Sequence, residues 1–337
     1  MVRAPKFLAA LAFLAVPLLS APQAGAACQG LNLLDLMPGD KRASVTALAD
    51  AHPFPSGNYW QAEREGARLT IIGTYHLDDP RHAAAVARFT PEIAEADLLL
   101  VEAGPEEEKA LQAHIGRDPS ILVITEGPTL NQILPPETWE RLKIAAQDRG
   151  VPPFMAAKFR PWYISVLLAV PPCGMEAMAN PNGLDHRLIK AAEAAGTPVR
   201  ALEPYDTVFS VFGVLPEADQ VAMIEQTLMF EDSITDFSET LADMYFDGDN
   251  RMMWELMRQM AYDLPGYTRE QVDAEMAVLE ETMMNKRNRA WIPVIEAAAA
   301  DGRTVVAFGA LHLSGEEGVL NLLKQNGWTL TPLSVAP

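Results

Sequence analysis

Six histidines are spread over the 337 residues, and two of them follow a glycine at the same spacing at the end of an apolar run. Leu69-Thr70-Ile71-Ile72 leads into Gly73-Thr74-Tyr75-His76, and Thr304-Val305-Val306-Ala307-Phe308 leads into Gly309-Ala310-Leu311-His312. A third apolar run, Leu98-Leu99-Leu100-Val101, closes on a carboxylate, Glu102. Two imidazoles and a carboxylate can bind one divalent cation and leave positions open for water and substrate. A cation so held lowers the pKa of its water and polarises a carbonyl, which is hydrolytic chemistry. Glu102 is then either a ligand or the base that takes the water's proton. Without metal, the same trio can act as a histidine base oriented by glutamate. Composition alone gives fewer than one Gly-x-x-His match, and the chain has three. The third, Gly183 to His186, opens a predicted helix, so His186 is discounted as a ligand. His52, His82 and His114 fall in loop or helix-surface contexts and are expected to be solvated.

For these side chains to meet, the runs that carry them must lie in one sheet. Short, β-branched, continuously apolar segments read as buried parallel strands, and ligands bind beyond the carboxyl ends of such strands. The two Gly-x-x-His strands are therefore expected side by side, with both histidines and Glu102 facing one crevice. Asp79 with Pro80 starts a helix through residue 89, and Pro91 begins a separate turn. Strand, helix and strand then span the length of a βαβ unit.

The remaining segments are assigned more coarsely. Residues 28–68 read as a helical lead-in, a Pro/Gly-rich loop and a strand from residue 59, turning at Glu65-Gly66. Residues 121–125 are a possible strand, 136–149 a helix stopped by Gly150, and 161–170 a buried helix. A helix from Gly183 to Gly196 precedes a short strand at 199–203. Residues 216–300 are helical almost throughout and hold ten of the 15 methionines, which are expected to be chiefly core filler, though Met-rich helices can also line adaptable apolar grooves. Asn285 to Trp291 is a basic cluster in an acidic chain. Ser314 with Glu317 forms a capping-box pattern ahead of a helix to residue 326, and 328–333 is a last strand. The fold class is α/β: a mostly parallel sheet flanked by helices, with a large helical insertion before the last βαβ unit.

Residues 1–26 stand apart. Arg3 and Lys6 precede an apolar run at 7–19, and Ala24-Gly25-Ala26 offers a small-x-small cleavage pattern, so the segment reads as a secretory signal peptide. Residues 27–337 are then one exported, periplasmic or secreted domain with no further membrane span. Removing two basic groups takes the net charge from −19 to −21. That field disfavours nucleic acid and anionic lipid and favours cations. Cys28 and Cys173, the two cysteines of the chain, are expected to form one disulfide in an oxidising compartment, worth about 4–5 kcal/mol on the chain-entropy model. Lipid attachment to Cys28 is the rival, although Gly25 stands where a lipobox wants leucine. His-Glu-x-x-His, Gly-x-Ser-x-Gly, Walker and Gly-x-Gly-x-x-Gly motifs are all missing, which argues against a zincin, a serine hydrolase or a nucleotide enzyme.

Gly73 to His76, Val101-Glu102, Gly183-Leu184-Asp185, Arg287-Asn288, Gly309 to Leu313, Gly315 to Val319 and Gly327-Trp328 together resemble the TraB/PrgY/GumN family. The resemblance runs from about residue 57 to 333. It implies an α/β fold related to erythromycin esterases and ChaN-like haem-uptake proteins, and kinship with the Tiki metal-dependent proteases. By matching position, it implies His76, Glu102 and His312 as catalytic or metal-binding residues, with Asp185, Arg287 and Asn288 supporting them or contacting substrate. Tyr75, where many relatives carry a smaller or β-branched residue, is expected to narrow the site. The sequence thus points to a hydrolase of peptide or similar amide substrates using Mn²⁺, Co²⁺ or Zn²⁺. A metal-free His/Glu esterase-like hydrolase and a non-catalytic binding or assembly factor for envelope polysaccharide are the alternatives.

Overall fold

The computed structural model describes residues 28–335 except 208 and 210–214; the proposed signal peptide lies outside the described residues. Six strands form one sheet: β1 (Tyr59–Arg64), β2 (Ala67–Thr74), β3 (Leu98–Val101), β4 (Val199–Ala201), β5 (Thr304–Gly309) and β6 (Thr329–Pro332). Their order is β4-β3-β5-β2-β1-β6. Strands β2, β5, β3 and β4 are mutually parallel, while β1 pairs antiparallel with β2 and β6. The α/β class read from the sequence is the one observed.

The two Gly-x-x-His strands are neighbours. β2 pairs with β5 from Leu69↔Thr304 to Thr74↔Gly309, so the second motif begins one residue higher in register than the first. β5 also pairs with β3, up to Val101↔Ala307. The simple βαβ unit expected between β2 and β3 is therefore opened by β5, which arrives last of the three and takes the middle. Every residue of β5 is buried, as its unbroken apolar sequence requires of a strand covered on both faces. Burying side chains such as Val306 and Phe308 contributes about 1.5–3 kcal/mol each.

Helices His82–Ala94, Leu184–Ala195 and Lys286–Asp301 flank the sheet and complete a first core with Phe89, Leu188, Trp291 and Ile295. A second core is helical, built around Leu142, Ile164, Leu168, Met223, Trp254 and Met276. Leu311, inside the second Gly-x-x-His motif, packs against both. The stretch between β4 and β5 supplies helices from Glu217–Met229 to Lys286–Asp301 and no strand among its described residues. Cys28 and Cys173 are bridged, with Cα atoms 5.3 Å apart across a separation of 145 residues. No single helix among the described residues is long and apolar enough to cross a membrane.

Several local expectations are corrected. The helix at 82 runs through Pro91 to Ala94; one missing donor near its last turn is outweighed by burial of Phe89 and Ile93. The expected strand at 121–125 is a 3₁₀ turn, Pro119–Ile121, and a lone bridge, Val123↔Phe159. The helix after His312 begins at Val319, with Gly318 rather than Ser314 as its N-cap. The Glu317 carboxylate is claimed by Arg289 and its carbonyl accepts from Asn288 at 2.9 Å, so tertiary partners displace the capping box. His82, expected in solvent, is fully buried with Nε2 donating to Leu77 O at 3.0 Å. His52 and His114 are half-buried, the latter against Tyr205 and Phe209. Tyr75 stacks on Tyr245 at 5.3 Å beside Phe246 and His82, which anchors the helix Ile234–Asp247 to the end of β2.

Candidate active site at the carboxyl edge of the sheet

His76, Glu102 and His312 meet over Gly309. A Cβ built on that glycine would lie 3.3 Å from His76 Nε2, 3.5 Å from Glu102 Oε2 and 3.7 Å from His312 Cδ2. Gly309 has an ordinary backbone conformation, φ −50° and ψ 131°, so a side chain there would meet only a tight approach to His76 Nε2. Its N–H also donates to Glu102 Oε2 at 3.2 Å. His312 Nε2 is 3.9 Å from Glu102 Oε1. Three residues separated by up to 236 positions thus share one rim because their strands are adjacent and parallel.

The two histidines are in opposite states. The His76 side chain is 35% exposed, and its Nδ1 faces Asp185 Oδ1 at 3.5 Å. Desolvation opposes its charging, but Asp185, helped by Glu102, outweighs that and raises its pKa above 6.5. Asp185 is delivered by the helix Leu184–Ala195, whose start is pinned when Leu184 N–H donates to Tyr75 O at 2.9 Å. Gly183 lies so close that an added Cβ would sit 2.2 Å from His76 O; only glycine lets that helix approach. The other Asp185 oxygen is 2.9 Å from His186 Nδ1, and His186 Nε2 is 3.1 Å from Glu108. Those two carboxylates push His186 up to about 10. His186 is no member of the trio, but it supports Asp185, a role its position at a helix start concealed.

His312 is 3% exposed and bound at both nitrogens. Asn288 Nδ2 donates to Glu317 O, so its Oδ1 faces His312 Nδ1, 2.6 Å away, and that nitrogen carries the proton. Nε2 then accepts from Arg287 at 3.2 Å. Burial first, and the Arg287 charge second, push this imidazole down to about 3. Trp291 lies against it with ring centroids 4.4 Å apart.

Arg287 commits all its donors. Nε donates to Glu203 Oε2 at 2.9 Å, one terminal nitrogen to Met283 O at 3.1 Å and to His312, and the other to Glu203 Oε1 at 2.6 Å and to Glu102. Burial would raise the Glu102 carboxyl, but the Arg287 guanidinium above all holds it well below the usual carboxylate range. Glu203, desolvated by burial and facing Glu102, is raised instead. A single π turn, Glu281–Asn285, precedes the helix that carries Arg287, Asn288 and Trp291. One residue of extra winding turns the following helix by roughly 100°, which aims these three at the sheet edge while Arg289 pairs with Glu281 and Glu317 outside.

Of the residues named from the sequence, the structure brings His76, Glu102, His312, Asp185, Arg287 and Asn288 into one cluster. Glu203, Trp291, His186 and Glu108 were missed. Glu203 carried a legible sign: it is a carboxylate two residues past β4, much as Glu102 lies one past β3, with Val101 opposite Ala201 in register. A divalent cation on all three of the trio does not fit this arrangement. Both His312 nitrogens are occupied, and a guanidinium sits on the Glu102 oxygen nearest His312. Among the described residues no group of three or more His, Cys, Asp or Glu is arranged to hold a metal ion.

A mostly parallel sheet with carboxylates, imidazoles and an arginine gathered beyond the carboxyl ends of its parallel strands defines an α/β protein with a polar side-chain cluster at that edge. A sequence profile of the TraB/PrgY/gumN family matches residues 58–332, from the residue before β1 to the end of β6, and the chain belongs to that family. An uncharacterized protein of Escherichia coli strain K12, YbaP, is 23% identical over 255 residues, covering 75% of this chain and 87% of YbaP. YbaP of Shigella flexneri matches to the same extent.

Proposed function

We propose that the protein is an exported hydrolase of amide bonds, peptides foremost, with His76 as its general base. The observation that carries the reading is the contrast at the crevice: His76 is the accessible imidazole, its Nδ1 faces the half-buried Asp185 carboxylate, and its Nε2 lies with Glu102 Oε2 over Gly309. Asp185 fixes the ring and stabilises the cation formed when Nε2 takes a proton from water. Glu102 remains ionised against Arg287 and accepts a hydrogen bond from that water, leaving its oxygen to attack a carbonyl. His76 then returns the proton to the leaving amine. Arg287 has no donor left for substrate, so its part is to position Glu102 and His312. Glu102, Asp185, Glu203 and Glu108 outnumber the fixed cations here, which favours neutral or cationic substrates over phosphates and other anions.

The metal-dependent version, with Mn²⁺, Co²⁺ or Zn²⁺ on His76, Glu102 and His312, requires Arg287 to leave both Glu102 and His312. Metal analysis of protein purified without chelator, with chelator-treated assays, separates the two: activity that survives chelation supports the metal-free reading. A peptide-library digest comparing wild type with His76→Ala and Glu102→Ala tests catalysis itself, and identical cleavage profiles would favour a binding or assembly factor instead. Intact-mass measurement on periplasmic material tests leader removal, with cleavage near residue 26 and a reducible Cys28–Cys173 bond as the expected result.

A further inference from the structure

The methionine-rich helices do more than fill space. Met257, Met260, Met276, Phe230 and Phe237 line a cavity of about 80 Å³ in the helical half, partly open to the surface. A volume of that kind equals about five to eight water positions at 10–15 Å³ each, room for a compact body of similar atom count. The walls are overwhelmingly apolar, and thioether side chains adapt readily to a guest's shape.

Gln226 breaks the pattern. It lines this cavity, is 3% exposed and donates from Nε2 to Tyr267 Oη at 2.6 Å. Its Oε1 is buried with no hydrogen-bond partner among the described residues. An orphaned amide atom in an apolar recess is costly unless something satisfies it.

We propose that this cavity is a binding site for a small, compact molecule with an aromatic or branched aliphatic body and a single hydroxyl. The body fills the methionine-lined space, and the hydroxyl bonds the Gln226 amide. A hydroxyl both donates and accepts, so it satisfies that amide whichever way its oxygen and nitrogen are turned. The site is separate from the crevice: its lining comes from Ala169 and the helices between Glu217 and Glu280, and includes none of the sheet-edge residues.

Phenol and toluene, matched in size and differing by hydroxyl against methyl, are the probes. Calorimetric titration of the full chain is expected to show phenol binding about tenfold more tightly than toluene, the ratio one hydrogen bond provides. Gln226→Leu is expected to bring the ratio to about one while toluene still binds, and Ala169→Leu to weaken both by filling the space. Two results overturn the proposal: no saturable phenol binding to wild type, or equal affinity of wild type for the two probes. Because that comparison is made in the wild type, it holds even if a variant fails to fold.

Discussion

The same four-residue motif ends two adjacent strands and meets two opposite surroundings. At the end of β2, His76 is a third exposed, backed by a carboxylate and inclined to take a proton. At the end of β5, His312 is sealed in, held in one tautomer and kept neutral. The difference comes from what each neighbouring helix brings. Leu184–Ala195 presents Asp185 to His76, whereas Lys286–Asp301 presents Arg287, Asn288 and Trp291 to His312. A motif places an imidazole at the sheet edge; its surroundings decide whether it is open and readily charged or sealed and neutral.

The largest test of this contrast is removal of the reactive partner. His76→Ala should lower kcat/KM on a cleaved peptide by about 10²–10⁴-fold with little change in unfolding midpoint, and a variant that retains full rate would break the comparison. Arg287→Met leaves Glu102 and Glu203 facing each other without their shared cation. It should cost about 3–5 kcal/mol in urea unfolding; wild-type stability would mean the arginine is not the bond that closes the supporting side. Asn288→Ala strips the Nδ1 partner from His312 and should cost about 1–2 kcal/mol, with the loss read in the same unfolding series.

Protonation sharpens the comparison further. In an imidazole NMR titration, His76 should gain its proton above pH 6.5, whereas His312 should stay neutral until about pH 3. The stability consequences have opposite signs. The folded state binds less proton than the unfolded chain at His312, so that group's contribution is present above pH 6.5 and is lost as pH falls toward 3. The His76 contribution is present below 6.5 and is lost as pH rises through its raised pKa. Catalysis needs neutral His76, so activity should fall on the acid side of that pKa. Asp185→Asn should move the limb to lower pH, and an unmoved limb would detach Asp185 from the base.

Much of this was legible in the sequence because it rests on local rules. Apolar runs gave β2, β3 and β5, and their parallel direction put His76, Glu102 and His312 on one edge. The basic cluster from Asn285 to Trp291 was legible ahead of the last motif strand, and the family resemblance singled out Arg287 and Asn288 within it. The helix stop was legible as a glycine, and Gly196 takes the left-handed φ of 76° that such a stop requires. Long-range choices were not legible. The pairing of β2 with β5 was expected from their shared motif, but nothing near Thr304 encodes that β5 also lies between β2 and β3. Ser314 and Glu317 form a sound capping box locally, yet Arg289 and Asn288 compete for Glu317. His82 looked like a surface residue because its burial depends on Tyr245 and Phe246, more than 160 positions away. Glu203 escaped notice because a carboxylate after a three-residue strand is common, and its importance comes from sharing Arg287 with Glu102.

The position of β5 sets a condition on how the molecule can be made. Until Thr304–Gly309 has been synthesised, β2 and β3 have no common neighbour, and Glu102 has neither Gly309 nor His312 beside it. A chain stopped short of residue 304 therefore holds the first imidazole and the first carboxylate but cannot unite them. Assembly of the three-residue cluster on the sheet edge waits for synthesis of the fifth strand.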